Sequence, residues 1–154
     1  MALPVIELIA QNLLQTVAGI TEGAGFNYTL TAQRRTRAGV KREHLNAVIV
    51  QDNPRAPRDP KVPNTNEWDL TFAIGVFVIP TETDQTSIDT YVNLITSDVQ
   101  RAVMKDRYRG GNAMVTRIIP MELAPEEALE YDMAVVNVEV NWRASELDPT
   151  INAK

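Results

Sequence analysis

His44 is the only histidine in the chain, and imidazole is the side chain best suited to proton transfer or metal ligation near neutral pH. It sits beside Glu43, next to a basic stretch and at the start of an apolar run, so it reads as a surface residue. No cysteine is present, which removes disulfides, thiolate metal ligands and a cysteine nucleophile together. Glu126, Glu127, Glu130 and Asp132 resemble hard-cation ligands but lack the glycine-punctuated spacing of a calcium loop, and they read as a solvated acidic connection. Ser87, Ser97 and Ser145 have no histidine placed in sequence to build a triad. Gly110 and Gly111 follow a helical pattern and precede a strand, the reverse of a phosphate-cradling loop. The sequence therefore offers no catalytic residue, cofactor site or metal site. Carboxylates paired by folding are the one enzymatic route it leaves open.

Basic residues are more suggestive. Between residues 34 and 61 stand Arg34, Arg35, Arg37, Lys41, Arg42, Arg55, Arg58 and Lys61 against Glu43, Asp52 and Asp59, so this stretch carries +5. The whole chain carries −5, which leaves −10 on the remainder. Such a run can meet phosphates without reading bases, but there is no zinc-finger spacing, RNP-like aromatic strand or recognition-helix motif. An acidic face on a neighbouring subunit uses the same charge equally well, and a chain polarised in this way suits head-to-tail contacts.

The elements that must position these groups follow from apolar spacing. The 154 residues suffice for one domain with its own core. The Met-Ala-Leu-Pro start has no basic region before an apolar run, and no stretch reaches the roughly 20 apolar residues of a membrane span, so a soluble protein is expected. Residues 68–80 are the organising stretch. Trp68, Leu70, Phe72, Ile74, Val76 and Val78 share one face of a period-2 strand that ends before Pro80. Next, Thr86 is the expected cap of a helix running to about residue 107. Ile88, Tyr91, Val92, Ile95, Val99, Ala102 and Val103 form its apolar face, and Asp98 and Arg101 its solvated one.

Before that core, Val5, Ile6, Ile9, Leu13, Val17 and Ile20 predict an amphipathic helix from Pro4 to about Gly19. Strands are expected over residues 26–37 and 44–51. The four prolines between residues 52 and 67 then predict a long projecting loop, suited to partner contact. After the second helix, Gly110, Gly111 and Asn112 give a stop, residues 114–122 a strand, and residues 124–130 an acidic connection with one helical turn after Pro125. Residues 131–143 give a strand that alternates Ala134, Val136, Val138, Val140 and Trp142 against Asn137, Glu139, Asn141 and Arg143. The predicted class is α+β: a mostly antiparallel sheet with two helices packed on one face, forming a single domain over residues 1–143, with residues 144–154 as a C-terminal arm. The second sheet face is expected to be only partly apolar, which a monomer could leave wet and a ring could cover.

Taken together, these features resemble the tail terminator, or tail completion, proteins of long-tailed bacteriophages. Four features carry the likeness: the N-terminal helix leading through Gly25 into an arginine-bearing strand; the proline-rich loop before a long strand; the helix from Ile88 to Val103 followed by Gly110, Gly111 and a strand; and the ending from Val136 through Trp142 and Arg143 to Asp148 and Pro149. That ending resembles a family pattern of aromatic residue, arginine, short polar stretch and Asp-Pro, with Trp142 where tyrosine is more familiar and an added tail over residues 150–154.

The resemblance implies a structural virion protein, assembled in the host cytoplasm, that forms a hexameric ring at the head-proximal end of the tail tube. Such a ring ends tube polymerisation and offers the docking surface for the head or neck. Its implied partners are further copies of itself, the tail tube protein and a head-completion or neck protein, with DNA passing through the bore without specific binding. Six copies at −5 each would favour that passage by like-charge repulsion. Candidate subunit or tube contacts are Arg34, Arg35, Arg37, Arg55, Arg58 and Lys61. Candidate ring or neck contacts are Trp142, Arg143 and Asp148. The alternatives are another phage neck or head-completion protein, or a small hydrolase or nucleotide-binding domain.

Overall fold

Two long strands form the centre of the fold. In the computed structural model, which describes residues 2–53, 63–120, 123–129 and 131–153, the elements run α1 (Val5–Ala18), β1 (Thr31–Arg34), β2 (Asn46–Gln51), β3 (Thr65–Phe77), α2 (Ile88–Lys105), β4 (Val115–Ile119) and β5 (Met133–Ser145). Short 3-10 turns occupy Glu22–Ala24 and Glu126–Leu129. The five strands make one sheet in the order β1-β2-β3-β5-β4, antiparallel throughout except for the parallel β1-β2 pair. β3 and β5 pair along their full thirteen residues, from Thr65 opposite Ser145 to Phe77 opposite Met133. This is the expected α+β architecture, with both helices contributing to the core on one sheet face.

That core follows the predicted periodicities. Leu70, Phe72, Ile74 and Val76 of β3 and Ala134, Val136, Val138, Val140 and Trp142 of β5 face Val5, Ile9, Leu13 and Val17 of α1 and Tyr91, Ile95, Val99 and Val103 of α2. Each large aliphatic or aromatic side chain buried this way contributes about 1.5–3 kcal/mol. Trp68 and Trp142 are direct cross-strand partners with nearly parallel rings, 6.3 Å between centroids and 16° between planes.

Several boundaries differ from the sequence reading, each for a tertiary reason. The strand expected over residues 26–37 is confined to Thr31–Arg34, because the Asn27 and Tyr28 amides donate to the Asp98 carboxylate (2.9 and 3.2 Å) instead of to a ladder. Asp98 is thus no solvated residue: it is 1 % exposed and also accepts from the Asn27 side-chain amide at 2.8 Å. Ser87, not Thr86, caps α2, its hydroxyl accepting from the Thr90 amide at 3.2 Å. The helix stops at Lys105, two residues early, where Asp106 leaves helical geometry and accepts from the Gly110 amide at 2.7 Å. β3 starts at Thr65, inside the stretch read as loop, because residues 65–67 pair with residues 143–145. The remainder of that loop between residues 54 and 62 lies outside the described residues. β4 ends at Ile119 and β5 runs two residues past Arg143.

The second sheet face is not simply wet. Val48, Val50 and Ala73 form a small cluster there with Val40, Leu123 and Met133. Val40 belongs to the β1-β2 crossover and Leu123 to the β4-β5 connection, so two loops fold over this half of the sheet. They are tied together by Arg35 and Glu127 (3.8 Å), by the Arg42 guanidinium donating to the Tyr131 hydroxyl (2.9 Å), and by Tyr131 edge-on to Phe77. Gly75 lies beneath them. A Cβ there would stand 2.5 Å from Met133 Cε and 3.1 Å from Pro125 Cγ, so the strand has no side chain where the connection presses closest.

The tail also turns back onto the domain. The Pro149 carbonyl accepts from the Val5 amide at 3.0 Å and so satisfies an otherwise orphaned N–H at the start of α1, where Pro4 offers no side-chain cap. Ser145 and Ala153 amides donate to Ile151 and Arg143 carbonyls, laying the tail along the edge of β5 beyond β4.

Asp98→Ala removes the buried acceptor of three part-buried hydrogen bonds, and the expected loss is about 2 kcal/mol, read as a lower urea midpoint. Asn137 poses the opposite case. It is 2 % exposed on the second face, and neither end of its amide has a hydrogen-bond partner among the described residues. Asn137→Val is therefore expected to raise stability by about 1 kcal/mol in the same titration.

Candidate functional site

The basic candidates divide among different surroundings. Neighbouring residues of a strand point to opposite faces, and Arg34 accordingly reaches α1, where its guanidinium pairs with Glu7 at 2.7 Å. Arg35 turns to the second face and Glu127. The two still line one polar cavity of about 280 Å³ with Ile49, Val50, Gln51, Asp52 and Asn53 at the outer margin of the sheet. Arg37 stands exposed in the tight turn over residues 36–39, which Gly39 closes with φ 88°. Arg55, Arg58 and Lys61 lie outside the described residues. Much of the basic run is thus used inside the chain, through Glu7, Glu127 and Tyr131.

The second candidate set sits three strands away, on β5 and the tail that follows it. Trp142 is 4 % exposed and belongs to the core, bordering a small apolar cavity of about 160 Å³ with Ile6, Trp68, Ala144 and Pro149. Its ring therefore shapes the surface from beneath. Arg143, on the opposite strand face, donates from Nε to Glu67 at 3.0 Å. Asp148 accepts from the Thr150 hydroxyl (2.7 Å) and amide (2.9 Å), contacts that hold its carboxyl below the usual carboxylate range and fix the tail turn. Sequence spacing did not single out the partners of Arg143. Asn141 donates to Asp69 (2.9 Å) and Glu67 (3.1 Å), so Glu67, Asp69, Asn141 and Arg143 form one polar network on the second face. The signal lay in the β3-β5 register, which sets Glu67 opposite Arg143 and Asp69 opposite Asn141.

Two further groups have surroundings that the sequence did not reveal. Arg109 is fully buried at the junction of the two helices, with φ 47°. It donates to the Val103 carbonyl near the end of α2 and to the Thr16 hydroxyl in α1 (3.4 Å), and burial pushes its pKa down against the opposing pull of Asp106. His44 accepts the Ile79 amide proton on Nδ1 at 3.0 Å, with its ring edge-on to Tyr91. Tyr91 in turn donates to Asp84 and packs on Tyr28. With Nδ1 occupied as an acceptor, neutral His44 carries its proton on Nε2 and has no lone pair available to act as a base.

Among the described residues, no three His, Asp or Glu side chains converge as metal ligands, and no helix is long and apolar enough to cross a membrane. No protein-family model matches the chain, and no curated protein matches it.

Burial holds the His44 pKa below its ordinary value, against the opposing influence of Asp84. The folded state therefore binds the proton less readily than the unfolded chain, and this contribution to stability is complete above about pH 6.5 and lost as pH falls through the lowered folded value. The urea midpoint is expected to fall between pH 7 and pH 5, and His44→Asn, whose side-chain carbonyl can accept the Ile79 amide without titrating, should flatten that slope.

Proposed function

We propose that this chain is a self-associating structural protein of a long-tailed bacteriophage, forming a ring that ends the tail tube at its head-proximal end and presents a docking surface to the neck. The two margins of the sheet carry this reading. Among the described residues β1 pairs only with β2 and β4 only with β5, so a five-stranded sheet ends on two open edges. Open edges invite pairing with another chain, and a closed ring of head-to-tail contacts removes them without leaving a growing end. The basic margin around Arg34, Arg35 and Arg37 and the polar network around Glu67 and Arg143 lie at separated places in the sheet, as a heterologous contact requires. The resemblance drawn from the four sequence features supplies the phage setting and the place in the tail.

A neck or head-completion protein would share this mechanical character and differ in which partner it meets. The hydrolase alternative gains little from His44, whose accepting nitrogen is already bonded to a backbone amide.

The test is native mass at physiological salt, imaging of the particle, and mixing with purified tail tubes. A ring with a central hole that binds tube ends is expected. A ring that binds a portal assembly and ignores tube ends would move the assignment to the neck. A monomer at every concentration, with and without tubes, would overturn it.

A further inference from the structure

Where β3 runs out into the connection before α2, its last amide is held by a side chain. Leu45 donates its amide to the Phe77 carbonyl (2.9 Å), the Asp132 carbonyl accepts the Val78 amide (3.0 Å), and Nδ1 of His44 accepts the Ile79 amide (3.0 Å). Pro80 follows and has no N–H to offer. Among the described hydrogen bonds, His44 is therefore the final tie between the sheet and residues 80–87.

The segment that carries the ring is itself fixed. Leu45 is held in the left-handed region at φ 63°, with its amide on Phe77 and its carbonyl accepting from the Thr31 amide at 3.2 Å. Beyond the tie, the connection folds back on α2: the Asp84 carboxylate accepts from the Thr86 amide at 2.8 Å and from the Tyr91 hydroxyl. Tyr91 stands edge-on to His44 with 5.1 Å between ring centroids, and Tyr28 of the segment entering β1 packs on Tyr91 at 5.3 Å. The groups around the imidazole are thus Asp84 from the connection, Tyr91 from α2 and Tyr28 behind it, with Glu43 next in the chain and Arg42 engaged with Tyr131. Its hydrogen bonds hold Asp84 below the usual carboxylate range, and both tyrosines lie above their ordinary value, Tyr91 through its bond to Asp84 and Tyr28 through burial. Between about pH 7 and pH 5 these three keep their charge while the imidazole changes its own.

A neutral imidazole can accept the Ile79 proton, whereas an imidazolium cannot, because both its nitrogens carry hydrogen. Protonation would set two N–H groups against each other and give the ring a charge opposite to that of Asp84. We propose that His44 is a proton-operated latch on the connection between β3 and α2. Neutral, it holds the Ile79 amide; protonated, it lets that amide go and pairs with Asp84, so that residues 79–87 shift against a sheet that stays in place. The sheet is spared because the β3-β5 pairs end at Phe77, before the latch. The latch works within one protomer, independently of assembly.

The experiment follows the 15N-labelled full chain by nuclear magnetic resonance between about pH 7 and pH 5, for wild type, His44→Asn and Asp84→Asn. At neutral pH the ring is expected as the Nε2–H tautomer, with the Ile79 amide protected from exchange. As the ring titrates, protection of Ile79 should fall about tenfold or more and the resonances of residues 81–87 should move with the same midpoint, while ladder amides such as those of Phe72 and Val138 keep their protection. His44→Asn should abolish the titration step at Ile79, and Asp84→Asn should lower the midpoint of the ring by removing the attraction that favours its charge. Unchanged ladder amides show that each variant is folded. An Ile79 amide that ignores the titration of the ring overturns the latch. Protection lost evenly over the β3-β5 ladder also overturns it, because that is general destabilisation in place of a local release. A midpoint unmoved or raised in Asp84→Asn overturns the pairing with Asp84.

Discussion

The β3-β5 ladder is the constraint on which the rest of the structure depends. Thirteen consecutive pairs fix which residues face the helices, and a slip of one position would exchange the apolar row of Leu70, Phe72, Ile74 and Val76 for Asp69, Thr71, Ala73 and Gly75. The penalty for such a slip is large because the helix side of the sheet is dry along its length. The same register places Trp68 on Trp142 and Glu67 beside Arg143, so one pairing decides both the stacked tryptophan contact and the polar network on the opposite face.

Two buried ionisable side chains complete what apolar packing begins. Asp98 takes the backbone amides of the segment entering β1, and Arg109 takes a carbonyl near the end of α2 while touching α1. Burying a charge is costly unless it is hydrogen-bonded, so each group is favourable only with its partners in place. This makes them specific: they select one arrangement of helices and entering chain among many that would bury similar apolar area.

The outer surface shows what self-association has to work with. Internal partners take up Arg34, Arg35 and Arg42, which leaves Arg37 exposed and the outer edge of β1 open. At the far end of β5, the tail returns to hold the start of α1 and leaves Leu147 standing free beyond the turn. The loops that close over Val48 and Ala73 cover only part of the second face, and the remainder is polar. A collar built from such protomers would rely on edges, charged rims and a few apolar anchors more than on a broad greasy interface.

The sequence by itself determined the class and the order of elements, because apolar residues at period 2 and period 3.6 state which face of each strand or helix must be buried. It also placed Asn141 and Arg143 correctly on the face away from the core. Tertiary structure decided what local pattern cannot carry. Asp98 looked like a solvated helix residue because its three donors lie some seventy positions earlier in the chain. Arg109 carries no periodic or motif signal in the sequence, and only the meeting of two helix ends buries it. The residues at the start of β3 read as loop because their strand character comes from pairing with β5. Trp142 stood both on the apolar row of its strand and in the terminal pattern that implied a contact residue, and stacking on Trp68 holds its ring inside. Spacing along a chain records which side of an element is apolar, whereas the partner of a charge or an edge is set by residues that only folding brings near.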